Sequence, residues 1–387
     1  MTLTHRPVFP WIAPEAADFY GVACQFASAL DEGTIRRDAD GAFWREGWDR
    51  CAEFGIQGLP IPEEWGGGGA DVVTTMLGLE ALGYGCVDNG LVFSINAHMW
   101  TSEIPIWTYG SAQQKERWLH GLCAGTLIGC HTITEPDAGS DAFALKTRAR
   151  AADGGFVLDG RKTFITNAPV ADLLIVFART GDGVGPYGIT AFLVEAGAEG
   201  CEVQSPVEKL GLRTSPMADV VLEGCFVPEA AVLGSVGQGG EIFQTSMRWE
   251  RACIMASQVG LMRRTLESCI DYARQRRQFG KPIGRFGSIA DKIANMKIAV
   301  EASRGLVLRT GWLMDEGLDT AVDAAVAKAF VSEANVRTHL DAVQIHGGYG
   351  YMTEFEIERS LRDAIGGTIY SGTSEIQRRI IARGLGL

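Results

Sequence analysis

The sequence places one carboxylate where a carboxylate is costly. In the run Ser246-Met247-Arg248-Trp249-Glu250-Arg251-Ala252, Glu250 falls inside a long stretch of helical hydrophobic period. At about 100° per residue, Phe243, Met247, Glu250, Ile254 and Leu261 share one narrow sector, so the carboxylate interrupts an apolar stripe. A carboxylate there loses its water and its pKa rises, which suits it to abstract a proton near neutral pH. The same placement also suits a buried ion pair with a neighbouring arginine. Arg274, Arg276 and Arg277 cluster further along, either as a solvated helix face or as the meeting point for a phosphate-bearing ligand. Other chemistries have little to draw on. The nine cysteines run from Cys24 to Cys269 without a C-x-x-C pair and read as reduced, buried thiols. The six histidines are dispersed and form no H-E-x-x-H pattern, so no metal site is expected.

The elements that must hold Glu250 follow from two changes of period. From about Ala13 to Gly125 apolar residues recur every three or four positions, with a loop at Pro60 to Ala70. From Thr126 to Gly234 short β-branched and apolar runs alternate with turns, which predicts antiparallel β structure. After Gly240 the helical period returns, at about Glu241 to Gln278, Ser288 to Asp315, Thr320 to Gln344, Phe355 to Ala364 and Thr373 to Ala382, enough for a helical bundle. The expected units are therefore 1–125, 126–235 and 236–387, an α+β chain. Its 387 residues exceed the ~250–300 at which one core stops growing. Gly181-x-Gly-x-Gly lacks the spacing of a dinucleotide fingerprint and opens no helix, so it reads as a hairpin loop. A net charge of −12 argues against a nucleic-acid partner. The start, Met1 to Pro14, lacks a charged-then-apolar signal, and no apolar run approaches ~18 residues. A soluble, cytoplasmic protein with no membrane partner is expected.

Three motifs narrow the reading further. Thr134-Glu-Pro-Asp-Ala-Gly-Ser-Asp141, Gln344-Ile-His-Gly-Gly-Tyr-Gly-Tyr351 and Ile369-Tyr-Ser-Gly-Thr-Ser-Glu-Ile-Gln377 together resemble the acyl-CoA dehydrogenase family of flavoenzymes. The α–β–α order of the periods agrees with the fold of that family: an N-terminal helical domain, a middle antiparallel β domain and a C-terminal helical bundle. The resemblance implies bound FAD. Groups at Ile133, Thr134, Gly139 and Ser140 would meet its ring and pyrophosphate, and Phe164 and Thr166 of Lys162-Thr-Phe-Ile-Thr-Asn167 would contact the ring. Arg276-x-x-Phe279-Gly-x-Pro282 resembles the turn that reaches the adenine half of a neighbouring subunit's flavin. Gln344, Gly347, Gly348, Thr373 and Glu375 would complete that site, which implies a homotetramer or homodimer. Without the family, the same turn is a helix end with basic residues, then Gly and Pro. Gly287 and Glu375 stand where many members keep glutamine.

The catalytic base departs from the usual pattern. Most members carry a glutamate between the tyrosine and glycine of the last motif, and here that position is Ser371. A minority supply the carboxylate from the first long bundle helix, where Glu250 matches. The resemblance then implies that Glu250 removes the α-proton of a thioester and that Arg251 shapes its pocket. The Ser371 backbone amide would polarise the thioester carbonyl, an oxyanion-hole role worth several kcal/mol, and the β-hydrogen would leave as hydride to flavin N5. His98, Trp100 and Met247 are candidate pocket residues; a structural histidine and core aromatics are the other reading. Ile165 to Asp172, Met247 to Arg251, Ile369 to Thr373 and the ending Ile380 to Leu387 look closest to the specialised-metabolism branch that includes prolyl-carrier-protein dehydrogenases. The substrate would be an acyl or aminoacyl group on a carrier protein or on CoA. The acceptor would be an electron-transfer flavoprotein or similar. An acyl-CoA dehydrogenase of fatty or branched-chain catabolism, a flavin oxidase or monooxygenase, and a non-catalytic interaction protein on the same fold are the alternatives.

Overall fold

Residues 12–30, 33–181, 183 and 185–387 are described in a computed structural model. The prolines at 7 and 10 lie outside them, as do two positions of the glycine-rich 181–188 segment. Seven helices come first: α1 (Pro14–Ser28), α2 (Thr34–Asp40), α3 (Arg45–Glu53), α4 (Val72–Gly85), α5 (Asn89–His98), α6 (Ile104–Tyr109) and α7 (Ala112–Cys123). Side-chain caps set several starts. The Asp71 carboxylate accepts from the Thr74 amide at 2.6 Å, the Asp88 carboxylate from the Leu91 amide at 3.0 Å, and Ser111 forms a capping box with Gln114. Between α5 and α6, Met99–Glu103 make a π-helical turn, and the expected loop at 60–70 holds a single 3₁₀ turn at Glu63–Trp65.

The middle unit carries β1 (Gly129–Thr132), β2 (Arg148–Ala152), β3 (Gly155–Thr166), β4 (Leu173–Arg179), β5 (Ile189–Glu195), β6 (Cys201–Val203), β7 (Met217–Pro228) and β8 (Val232–Leu233). They form one sheet in the order β6-β7-β3-β2-β4-β5-β8, with β1 also on β4. The sheet is not purely antiparallel. β1 runs parallel to β4 from Gly129↔Leu173 to Thr132↔Val176, and β2 touches β4 in parallel at Arg148↔Arg179. The segment between β1 and β4 is long enough to return the chain to the same end of the sheet, which parallel pairing requires. Strand β4 is apolar along its length because both faces are covered. Leu173, Ile175 and Phe177 enter the main core, while Leu174, Val176 and Ala178 build a second one across the sheet.

The remainder is α8 (Gly239–Gln275), a two-stranded ribbon of β9 (Arg277–Gln278) and β10 (Lys281–Pro282), then α9 (Gly287–Asp315), α10 (Ala321–His346), α11 (Ile357–Gly366) and α12 (Ser374–Gly384). The sequence carries the first bundle helix on to Gln278, but α8 stops at Gln275. Phe279 and Gly280 take positive φ there, of 49° and 79°, and fold the chain back into the ribbon. Helix α8 is the axis of the molecule. Helices α4, α9 and α10 all pack on it, so it is buried on several sides rather than along one stripe. The crossing with α4 is backbone on backbone. A Cβ on Gly83 would lie 2.0 Å from the Ser257 carbonyl oxygen, and one on Gly260 would lie 2.0 Å from that of Glu80. Among the described residues no helix is long and apolar enough to cross a membrane.

Candidate active site

Glu250 sits in the first third of α8 and is 6% exposed. Its Oε1 accepts a hydrogen bond from the Ser371 hydroxyl at 2.8 Å, and its Oε2 accepts none from protein among the described residues. Burial pushes its pKa above the ordinary carboxylate range, against the Ser371 hydrogen bond and the charges of Arg251 and Lys328. Met247, one turn before it, is buried.

Ser371 stands at φ 55°, in the left-handed region, and Gly372 follows at 88°. A residue with a Cβ is strained at that φ, and three helices hold it there. The Ser371 carbonyl accepts from Arg251 Nε of α8 and from Gln377 Nε2 of α12, both at 3.1 Å. The Gly372 carbonyl accepts from Lys328 Nζ of α10 and again from Gln377 Nε2, both at 2.7 Å. With both carbonyls turned into the protein, the Ser371 amide has no protein acceptor among the described residues. Burial lowers the Lys328 pKa to about 8, opposed by the nearby Glu250, and lowers that of Arg251 as well. Lys328 gave no sign in the sequence, and Gln377 closed the last motif without a role of its own. They lie 44 and 6 positions from the loop carbonyls they hold, and only the approach of α10 and α12 brings them in.

Around this centre the expected residues divide. Ile133 is buried at the end of β1, and the Thr134 carbonyl accepts from the Thr163 amide at 2.9 Å. Gly139 and Ser140 stand exposed on the following turn, with open space where a Gly139 Cβ would go. Glu135 fixes that turn. Its carboxylate takes the Lys146 and Thr147 amides, the Thr147 hydroxyl and, at 2.8 Å, the Lys162 ammonium. On β3 the register against β7 slips between Lys162 and Ile165, and Phe164 sits in this bulge at φ 57°. Its ring is turned out of the sheet and 63% exposed, while Thr166 is half-buried.

Arg276, Gly347 and Gly348 line a hollow of about 410 Å³ at the far end of α8, with Tyr272, Ile283 and His346. Arg276 stacks over the Tyr349 ring at 5.4 Å, and Gly347 takes φ 61° with open space around it. Phe279 projects nearby, 92% exposed, and Gln344 is exposed at the end of α10. Thr373 and Glu375 do not join this group, contrary to the sequence reading. Thr373 caps α12, and Glu375 occupies its exposed first turn, beside Ser371. Two of the three pocket candidates follow the other reading, a structural histidine and a core aromatic. His98 is fully buried with both nitrogens engaged, Nδ1 accepting from the Gly129 amide at 3.0 Å and Nε2 facing Glu103 and the Leu122 carbonyl. It is a structural group beneath β1. Trp100 donates to Asn96 Oδ1 at 3.0 Å and stacks on Trp249 at 6.1 Å, so it supports the helix face beside Glu250 from inside the core.

Family models for the N-terminal, middle and C-terminal domains of acyl-CoA dehydrogenases match residues 15–126, 130–225 and 237–386. The L-prolyl-(peptidyl-carrier protein) dehydrogenase of Pseudomonas fluorescens is 45% identical over 341 residues, 88% of this chain and 90% of the relative. The crystal structure of the prolyl acyl carrier protein oxidase AnaB superposes with a TM-score of 0.95 at 43% identity, covering 97% of this chain and all of that one. PigA with FAD and proline gives 0.96 at 38% identity, covering 98% and 99%. Over nearly its whole length the chain shares its sequence and its backbone course with oxidoreductases of α+β architecture. It belongs to the acyl-CoA dehydrogenase family.

Proposed function

We propose that the chain is an FAD-dependent dehydrogenase acting on an aminoacyl or acyl thioester, with a prolyl-type group on a carrier protein as first substrate and a CoA ester as second. The observation that carries this reading is the pairing of buried Glu250 with a loop whose strained Ser371 offers an unpaired amide. The likeness to a prolyl-carrier-protein dehydrogenase, to AnaB and to PigA favours the carrier-bound prolyl group.

The chain's residues fit the cofactor. Phe164, held out of the sheet at positive φ, offers a flat apolar surface for a ring, and the exposed Gly139–Ser140 turn leaves room for backbone approach. Tyr370 Oη and Gln377 Oε1 are buried without partners among the described residues around the Ser371 loop, as polar atoms that await a ligand would be. When bound, FAD supplies the two-electron acceptor for the hydrogen that leaves Cβ.

The chain's own part is acid–base and electrostatic. Glu250 Oε2, free of protein donors, takes the Cα proton. The Ser371 amide receives the thioester oxygen as negative charge builds on it, which lowers the barrier by several kcal/mol. Loss of a hydrogen from each of Cα and Cβ leaves an α,β-unsaturated thioester. An electron-transfer flavoprotein is the proposed acceptor. The oxidase AnaB favours molecular oxygen as a second reading, and rapid reoxidation in air without added acceptor separates the two.

The site draws on more than one chain. From Glu250 to Arg276 along α8 is about 39 Å at 1.5 Å per residue, farther than one dinucleotide reaches. The hollow at Arg276 therefore serves a neighbour's flavin, in a homodimer or homotetramer.

Anaerobic mixing with CoA-bound and carrier-bound thioesters tests the activity through the flavin absorbance. A prolyl carrier protein should bleach it fastest. Glu250→Gln should keep its flavin and lose about 10²–10⁴-fold in reduction rate, the usual weight of a general base. Near-normal reduction in that variant would remove Glu250 from its role.

A further inference from the structure

Serine at 371 carries a side chain into a backbone conformation that glycine would occupy without strain. What the side chain adds is one hydroxyl, and that hydroxyl is spent on Glu250 Oε1 at 2.8 Å. The direction of its Cα–Cβ bond is fixed, because the carbonyls of Ser371 and Gly372 are tied to Arg251, Gln377 and Lys328. The unpaired amide and the hydroxyl that meets Glu250 therefore belong to one residue on one tethered loop.

Resting on Glu250 as the base, we propose that the Ser371 hydroxyl is a positioning residue that anchors one oxygen of the Glu250 carboxylate, presents the other to the substrate and keeps the carboxylate ionised at working pH. A donor to the charged form favours it, against the burial that favours the protonated acid. The other groups facing Glu250 are Arg251 on its own helix, Lys328 on α10 and Tyr370 in the loop. Both cations also favour the carboxylate, and the Tyr370 phenol stays neutral because burial pushes its pKa up. Removing the hydroxyl leaves the cations in place, so the base is weakened in its ionisation without being lost.

The sign follows directly. Proton abstraction needs ionised Glu250, so the reduction rate climbs with pH through the Glu250 pKa. Losing the donor raises that pKa and moves the climb to higher pH.

The test compares flavin-loaded parent, Ser371→Ala, Ser371→Gly and Glu250→Gln. Alanine keeps the strained Cβ and glycine relieves it, so an effect common to both belongs to the hydroxyl. Both should move the acid limb of anaerobic flavin reduction upward by about one pH unit, about tenfold in rate below the limb. A second readout needs no turnover: the infrared band of the protonated Glu250 carboxyl, identified by its loss in Glu250→Gln, should titrate about one unit higher in both serine variants. If limb and band stay where they are in the parent while Glu250→Gln is inactive, the positioning role is wrong and the base stands. If Glu250→Gln reduces normally, the base assignment fails first, and this inference with it.

Discussion

Glu135 gathers four donors onto one carboxylate, and one of them is the ammonium of Lys162, which is fully buried. Among the described residues, that ammonium's one other acceptor is the Phe177 carbonyl at 2.7 Å. Burial drives the Lys162 pKa down to about 8. It also drives the Glu135 carboxyl up, but the lysine and the bonds from Thr147 and Lys146 pull it below the usual range. Removing one partner of such a pair leaves an uncompensated buried charge, so Glu135→Gln should cost about 3–5 kcal/mol in denaturant unfolding. The exposed Gly139–Ser140 turn should loosen with it and shed flavin. Adding Lys162→Met should restore part of the stability, because the stranded charge is then gone. An unchanged unfolding midpoint in Glu135→Gln would show that the pair holds nothing. Residue-scale roles of this kind were only half legible. Glu250 declared itself through the 100° period, because its neighbours in the stripe are apolar. Lys162, Lys328 and Gln377 gave no such signal, since a lone polar residue reads as solvated until other elements close over it. His98 was left between a pocket role and a structural one, because residue type alone does not show that its nitrogens are engaged beneath β1.

Helix α8 transmits these positions, and its crossing with α4 sets where Glu250 can stand. Gly83 and Gly260 let the two backbones meet, with no room for a Cβ on either. The same crossing buries Glu80, which takes the Tyr20 hydroxyl at 3.0 Å and Arg304 Nε at 2.9 Å. Gly260→Ala must push α4 away, and overpacking of this kind costs about 1–3 kcal/mol or more. Gly260 lies ten residues beyond Glu250 on the same helix, so the shift should also disturb the bond to Ser371. The expected result is a lower melting temperature together with slower flavin reduction, whereas Gly305→Ala, with open space at its Cβ, should change neither. Stability lost without any change in reduction rate would uncouple the crossing from the site. The elements themselves were mostly readable, helices by their 3.6 period and strands by β-branched runs between turns. Less readable was how the strands pair, because the parallel contacts of β1 and β2 with β4 depend on where the chain re-enters the sheet. The bulge at Phe164 escaped notice for a related reason: a register slip is a property of two strands, and a single sequence shows one.

At the scale of the whole molecule, the proposed base Glu250 and the Arg276 hollow lie about 39 Å apart along one long helix, and in the proposed oligomer a second copy brings them to one flavin. A two-fold pair would then contain two sites, each with Glu250 from one chain and Arg276 with Phe279 from the other. This arrangement predicts complementation. Glu250→Gln alone should bind flavin and fail to reduce it, while the Arg276→Ala/Phe279→Ala double variant should retain its base and hold flavin poorly. In a hybrid pair, one site combines the intact Glu250 of the second variant with the intact Arg276 and Phe279 of the first, and the other site inherits both lesions. With random mixing about half the pairs are hybrids, each with one good site of two, so co-expression should restore about a quarter of the parent activity per flavin site. The two homo-oligomers purified separately and mixed without subunit exchange should stay inactive. If every chain completes its own site, co-expression restores nothing beyond the sum of the two variants, and the hollow at Arg276 must be given some role other than holding a neighbour's flavin.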